Sequence, residues 1–369
     1  MPKKYTLDPL PGRLAKLARE AKKGDQLAAC ELATLGSSAA VTALIEALAQ
    51  PSWQVRSDVL SGIRSAFRGK RATVEFSDSL GDAIAEVLKH SFRRQKKKDQ
   101  PQQSEFASQT AIEILPLLNR ERTILHLTHP NVLRLNNPDL PLVLRALNDL
   151  GHPLKMDLVP WIEEIQPLAL ADSYIDNSLC SEILCNMALQ HHPSVPLWIE
   201  EVEKNFPYYG EAQIGAAKAR CYHLDLPPNF HWKILDLSYP KDGRVRLPKV
   251  VQHFVRAIEM MTWSNLGFEQ YLEHEGDEVA NDIEVLTAIG DEVQVWRLRK
   301  CVELFGPAGV PGTFEERVER IHADDGHIWD AIIDLGFPED VKSPELQVLY
   351  FQFAAKHAEE FRRFLAEHV

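Results

Sequence analysis

Hydrophobic positions in the first two-thirds of the chain recur at helical spacing. In residues 41–48, and again in residues 55–67, apolar side chains return every three or four positions, as in a helix with one buried face. Gly36 and Pro51 interrupt these runs and indicate helix ends. Similar runs of about 10–15 residues continue to about residue 240, and no alternating strand pattern occurs among them. The chain is therefore predicted to be all-α.

The segment covering about residues 24–68 has a recognisable internal order. It reads helix, Gly36, helix, Pro51, helix, with Val55 and Arg56 near the start of the third helix. This order resembles a HEAT-type helical repeat, a unit that buries its apolar face only when neighbouring units stack on it. Later runs match the repeat less closely. We therefore expect residues 1–240 to form an irregular HEAT-like α-solenoid.

A cationic stretch at about residues 93–105 separates two of these helical runs. Five cations stand within its first six positions, and Gln, Pro and Asp follow them. Such a composition predicts a solvated, exposed loop between helices. Contact with nucleic-acid phosphates is the alternative, although no aromatic residue for base stacking lies among the cations.

Charge changes sign along the chain, which argues against one uniform array. The whole chain has a formal net charge of −12. Residues 1–105 hold 18 Lys/Arg against 12 Asp/Glu, whereas residues 246–369 hold 12 against 24. A basic start and a strongly acidic end indicate two modules with different electrostatic partners. We therefore expect a small acidic helical domain over residues 241–369, following the helical array of residues 1–240.

The acidic end contains a long stretch without a cation. No Lys or Arg occurs between Arg256 and Arg297, whereas ten Asp and Glu residues do. An ordinary exposed helix mixes signs, because acid–base pairs four residues apart stabilise it and like charges destabilise it. Apolar residues within the stretch predict a helix that ends at Gly290, with the acidic side chains on its outer faces. The predicted buried stripe consists of Val279, Ile283, Leu286 and Ile289.

The same stretch carries a motif: a helix, then Gly-Phe-x-Gln-Tyr, a turn with glycine, and an acidic helix that closes on Ile-Gly. It resembles the bacterial DNA-mimic protein family over about residues 240–340, a quarter of the chain. Leu266 replaces a glycine of the family pattern. The motif and structural positions are Asn265, Gly267, Phe268, Gln270, Tyr271, Gly276, Ile283 and Gly290.

That resemblance implies a dimeric, non-catalytic protein whose carboxylates stand in for DNA phosphates and occupy a DNA-binding protein. We therefore expect the acidic domain to dock on a basic partner, with a DNA-binding regulator as the specific candidate. Binding of this kind is sensitive to salt, because screened charges steer it. The expected contact surface consists of Glu269, Glu273, Glu275, Asp277, Glu278, Asp282 and Glu284.

Two other functions remain open from the sequence. One is DNA binding or repair, since some HEAT-like arrays bind duplex DNA on a basic concave face and excise damaged bases. The other is an interaction scaffold whose acidity serves only solubility. The first of these would use the basic first third of the chain, although neither a catalytic carboxylate nor groove aromatics can be identified there. Its candidate DNA contacts are Arg56, Arg64, Arg68, Lys70 and Arg71.

Enzyme motifs do not occur in the chain. Phosphate-binding glycine loops, nucleophile elbows and zinc-protease helices are all lacking, so no catalytic residue is assigned. His322 and His327 flank two aspartates, but their spacing fits no established zinc pattern, and we expect neither a metal nor a cofactor. Five scattered cysteines and the lack of a long apolar run favour a cytoplasmic protein without a membrane span.

Overall fold

The computed structural model describes residues 11–68, 78–94, 101–170, 174–205, 210–238, 247–264, 267–323, 327–335 and 344–368. Every regular element within these ranges is an α-helix or a short 3-10 turn, and none of the described residues lies in a strand. The all-α prediction is confirmed. The chain divides into two compact units, residues 1–156 and residues 157–369.

The first unit is built from helices of 8–17 residues. They are α1 (Pro11–Ala21), α2 (Gln26–Leu35), α3 (Ser38–Leu48), α4 (Trp53–Arg68), α5 (Asp78–Arg94), α6 (Pro101–Ile114), α7 (Arg120–Leu127) and α8 (Leu140–Asp149). Helices α2, α4, α6 and α8 contact one another in succession, and α1, α3, α5 and α7 do the same. Alternate helices therefore pack on one another, as stacked helix pairs require. The HEAT-like solenoid stays a prediction that this order of contacts supports.

Gly36 ends α2 where the sequence pattern indicates. It adopts a left-handed conformation, and its N–H donates to the carbonyl of Leu32. Ser37 then caps α3, because its hydroxyl accepts the N–H of Ala40. Two tight caps in succession explain how α2 and α3 follow each other with almost no loop.

The loop expected at 93–105 is shorter than the sequence suggested. Arg93 and Arg94 end α5, residues 101–105 form the first turns of α6, and residues 95–100 lie outside the described residues. Pro101 explains the early start, because proline at the first position of a helix has no N–H to leave unsatisfied.

The second unit contains the remaining helices. They are α9 (Val159–Leu170), α10 (Tyr174–Leu189), α11 (Val195–Asn205), α12 (Glu211–His223), α13 (Phe230–Ser238), α14 (Lys249–Ser264), α15 (Phe268–Glu275), α16 (Val279–Ile289), α17 (Glu292–Leu304), α18 (Phe314–Ile321), α19 (His327–Ile333), α20 (Leu346–Lys356) and α21 (Ala358–His368). Aromatic rings from four of them meet in its core. Phe254 stacks on Phe230 at 5.6 Å between ring centroids and meets Phe361 edge-on at 5.0 Å. The rings of Phe230 and Phe351 are 6.0 Å apart.

The expected domain boundary near residue 240 falls inside this second unit. Helix α12 packs against α20, and α13 packs against both α14 and α21. Helices on either side of residue 240 therefore share one core. The sequence placed the boundary where the charge changes, but burial of apolar surface decides which helices pack together.

Candidate functional site

The acid-rich stretch folds as α15, a 3-10 turn at Gly276–Glu278, and α16. Gly290 ends α16 in the left-handed conformation, and its N–H donates to the carbonyl of Leu286 at 2.9 Å. The next N–H, that of Asp291, bonds the same carbonyl. This arrangement confirms the predicted glycine stop, since glycine adopts positive φ at little cost.

Asp282 is the first correction to the predicted contact surface. Its side chain is completely buried, so it cannot contact a partner. Its carboxylate accepts the Nε–H of Arg256 at 2.6 Å and an Nη2–H of the same arginine at 2.8 Å. Ile283, which was predicted to be in the core, is only half-buried. The buried face of α16 therefore passes through Asp282, with Ile283 at its border.

Arg256 neutralises more than this one carboxylate. Its guanidinium donates to Glu275 at 3.1 Å and approaches Glu259 at 3.4 Å. Burial opposes its charge, but the hydrogen bonds and the negative charge of Asp282 and Glu275 outweigh burial and raise the pKa of Arg256. The arginine therefore remains a permanent cation inside the acidic stretch.

Tyr271 of the motif completes this buried cluster. Its hydroxyl donates to Asp282 at 2.5 Å, and the side chain is buried. Burial, followed by the charge and the hydrogen bond of Asp282, raises the pKa of Tyr271. The phenol therefore stays protonated and serves as a donor. Asp282 thus has three donors for its two oxygens, which is how a buried carboxylate is tolerated.

A second buried arginine, Arg317 of α18, holds the turn between α15 and α16. Its Nε–H donates to the carbonyl of Glu273 at 2.9 Å and its Nη2–H to that of His274 at 3.2 Å, at the carboxyl end of α15. Its Nη1 donates to the carbonyls of Pro311 and Gly312. The first two contacts satisfy carbonyls in the last turn of α15, where intrahelical donors are lacking, and the other two hold the loop before α18.

Close packing explains why position 276 of the motif is a glycine. A Cβ atom there would stand 2.5 Å from Cδ of Arg317 and 3.0 Å from Cγ1 of Val310. Any larger residue would displace the arginine. The same guanidinium lies 3.3 Å from the carboxylate of Asp277, which is exposed.

The other predicted contact residues are distributed unevenly. Glu273 pairs with His322 at 2.5 Å and is mostly buried, whereas Glu284 pairs with Lys249 at 2.5 Å and is exposed. Glu278 is exposed and accepts an amide N–H of Asn281. Glu269 is half-exposed, like Phe268, over whose ring the guanidinium of Arg297 lies at 4.0 Å. Gln270 is exposed, and Asn265 lies outside the described residues.

Exposed carboxylates do occur together, but partly on an element that the sequence analysis did not select. Helix α18 packs against α15 through Arg317 and through the ring of Phe314, which is 5.1 Å from that of His274. The first turn of α18 thereby adjoins the 276–278 turn. Because α18 lies beyond Arg297, the search for a cation-free stretch missed its acids. We define the acidic edge as the exposed residues Asp277, Glu278, Glu315, Glu316 and Glu319.

The alternative basic site is less open than the sequence implied. The guanidinium of Arg56 lies over the ring of Trp53 at 5.0 Å and donates to the carbonyl of Gln50. Arg64 pairs with Glu113 at 3.0 Å. Lys70 and Arg71, like the side chain of Arg68, lie outside the described part of the chain.

Comparisons with known proteins yield no relative: no family model, no curated protein and no solved structure matches this chain. Within the described residues, no group of three or more His, Cys, Asp or Glu side chains is arranged to hold a metal ion. The described helices also include none with the length and apolar character needed to cross a bilayer.

Proposed function

We propose that residues 157–369 form a non-catalytic binding module that docks on a basic protein partner through the acidic edge. The observation that carries this proposal is the separation of two kinds of carboxylate. The buried Asp282 and the partly buried Glu275 already pair with Arg256, whereas the acidic edge stays exposed on adjoining elements. Opposite charge on a partner would be steered to this edge and held in register by it.

The charge of the whole unit supports the same proposal. Residues 157–369 hold 18 Lys/Arg against 37 Asp/Glu. Such an excess repels nucleic acid and attracts basic protein surfaces. Arg317 fixes the backbone of the helices that carry the edge, so little backbone freedom is lost on binding.

Mimicry of DNA towards a DNA-binding regulator is the finer form of this proposal. The motif resemblance supports it, and so does the fixed turn at Gly276. The loss of Asp282 and Glu275 to the interior reduces the carboxylates available to stand in for phosphates, which in duplex DNA recur about every 1.7 Å of axis. The partner should then bind either this protein or duplex DNA, but not both together.

The test compares two charge-reversal variants of the full-length chain in capture of proteins from the native cytosol. E278K/E315K/E316K reverses three charges of the edge, and E163K/E164K/E200K reverses the same number at exposed positions of α9 and α11. We expect a captured basic protein to be lost only with the edge variant and to elute as salt rises. Competition with duplex DNA for that protein tests mimicry. Equal capture by both variants would refute docking through the edge.

Direct DNA binding by the first unit is a second candidate, favoured by its charge alone. Residues 1–156 hold 23 Lys/Arg against 16 Asp/Glu. Binding of a fluorescent duplex by the full-length chain, weakening steeply with salt, would support it. If neither a basic protein nor DNA binds, the scaffold hypothesis is the one left.

A further inference from the structure

A cleft is lined by residues of α14 and α16, among them Arg256. Its volume is about 400 Å³, within the range of ligand sites in proteins. Ser238 and Leu247 line it near α13 and the start of α14. The chemically distinctive residues of its lining are Lys249, His253, Arg256, Glu259, Asn281 and Glu284.

The charges around this cleft favour a cation. Arg256 does not favour an anionic ligand there, because Asp282 and Glu275 already offset its positive charge and accept three of its hydrogen bonds. Burial lowers the pKa of His253 although Glu284 acts in the opposite direction, so the imidazole is neutral at pH 7. The cleft is lined by two cations, Lys249 and Arg256, and by two carboxylates, Glu259 and Glu284. Arg256 also pairs with Asp282 and Glu275, which do not line the cleft, so the two cations share four carboxylates.

The chain itself already places one cation at the mouth of the cleft. Nζ of Lys249 lies 2.5 Å from the carboxylate of Glu284, and both side chains are exposed, at 70% and 54%. Exposed pairs of this kind contribute little free energy and exchange readily with solvent. The Lys249–Glu284 pair shows where a cationic group binds without holding that position tightly.

We propose that the cleft receives an arginine side chain of the basic partner, which displaces Lys249 and pairs with Glu284 and Glu259. This proposal rests on the proposed function, because it names the partner residue that enters beside the acidic edge, whose Glu278 accepts a hydrogen bond from Asn281 of the cleft. Arginine fits better than lysine, since its planar guanidinium offers five donors to several acceptors and is more weakly hydrated. Asn281 and Ser238 supply further acceptors on the cleft wall.

The test needs no identified partner. Full-length, isotope-labelled protein is titrated with N-acetyl-arginine amide, and with N-acetyl-lysine amide in a parallel series, while backbone amide shifts are followed by NMR. We expect saturable shifts at Gln252, Asn281 and Glu284 with the arginine probe and weaker binding of the lysine probe. Absence of these shifts, or equal affinity for the two probes, would overturn the assignment.

Two variants and two controls make the test specific. E284Q should weaken the arginine probe about tenfold, because a charge-assisted pair becomes a neutral one. K249M should strengthen it about threefold, since an exposed competing ion pair is removed. E163Q and K356M make the same charge changes at exposed positions outside the cleft and should leave affinity unchanged. Equal effects of K249M and K356M would show that only overall charge matters and would refute the displacement.

The outcome is separable from that of the proposed function. The E278K/E315K/E316K variant tests the acidic edge with a protein partner and leaves every cleft residue in place. Probe binding in the cleft without any effect of that variant would reject the edge and keep the cleft. If the edge variant loses the protein partner and the arginine probe does not bind in the cleft, the edge is kept and the cleft is rejected.

Discussion

The two units treat charge in opposite ways. In residues 1–156, ion pairs such as Arg13–Glu31 and Lys22–Glu46 lie on the exposed surface. In residues 157–369, where acids outnumber cations two to one, Arg256 and Arg317 are drawn into the interior to hold the acid-rich segment together. A run of like charge in a sequence therefore does not describe a surface, because the cations that neutralise it arrive from flanking helices.

We expect the largest loss of stability from removal of Arg256, the arginine that pairs with the buried carboxylate of the second unit. R256M keeps much of the apolar stem but leaves Asp282 buried without its ionic partner, which typically destabilises a protein by about 3–5 kcal/mol. Urea unfolding followed by tryptophan fluorescence measures this, since six of the seven tryptophans lie in residues 157–369.

The matched control for R256M is R362M. Arg362 is half-exposed and lies 3.6 Å from Asp225, so its loss should change stability by less than about 1 kcal/mol. Adding D282L to R256M should recover most of the lost stability, because a buried pair replaced by apolar groups is often neutral. If both arginine variants behave alike, the buried cluster is not what holds α14 to α16.

The next largest loss of stability should follow removal of Arg317, whose guanidinium binds carbonyls at the end of α15. R317A removes the donors for the carbonyls of Glu273, His274, Pro311 and Gly312, and we expect a loss of about 2–4 kcal/mol. R317K should not restore it, since one ammonium cannot reach all four carbonyls. R320A, an exposed neighbour on the same helix, serves as control in the same unfolding experiment. A full rescue by lysine would contradict the geometry.

A smaller effect should follow loss of a single hydrogen bond to the buried carboxylate. Y271F removes the hydroxyl that donates to Asp282 but leaves both bonds from Arg256, so we expect about 1–2 kcal/mol. A double-mutant cycle with D282N separates the hydrogen bond from the packing of the ring. Additive effects of the two changes would mean that the hydroxyl and the carboxylate do not interact.

Helix type and several helix ends could be predicted from the sequence because they depend on local spacing. Gly36 and Gly290 stop their helices where apolar periodicity ends, and both positions have positive φ. The unit boundary could not be predicted in this way. Packing of α12 against α20 joins segments more than a hundred residues apart, and no local pattern records such a contact.

The site shows the same limit at one residue. Counting from Val279, both the third and the fourth residue onward face the same side of a helix, so periodicity alone admits Asp282 and Ile283 equally. Hydrophobicity then predicts that Ile283, and not Asp282, lies in the core. In the structure Asp282 is the buried residue, because Arg256, 26 residues earlier, donates two hydrogen bonds that offset the cost of burying its charge. The family resemblances and the partner remain predictions.

The smallest effect on stability should be found in the first unit, at Asp82, a surface carboxylate with two partners. Asp82, half-exposed, accepts from Arg122 at 2.5 Å and lies 3.0 Å from Nε2 of His126. The hydrogen bond from Arg122 lowers the pKa of Asp82 from 3.8, with His126 adding to it against the effect of burial. Because the folded pKa is depressed, the stabilisation is present above about pH 4 and is lost as pH falls through the folded pKa.

D82N should therefore cost less than about 1 kcal/mol at pH 7, the scale of exposed pairs, and the difference from wild type should vanish in acid. Hydrogen exchange of amides in α5 and α7 at pH 7 and at successively lower pH below 4 measures it, with E121Q as an exposed control. A loss as large as that of R256M would break the comparison, since the first unit would then also depend on an ion-pair network. A small, acid-sensitive loss would sharpen it, because only the second unit would then depend on arginines whose removal leaves buried acceptors without a donor.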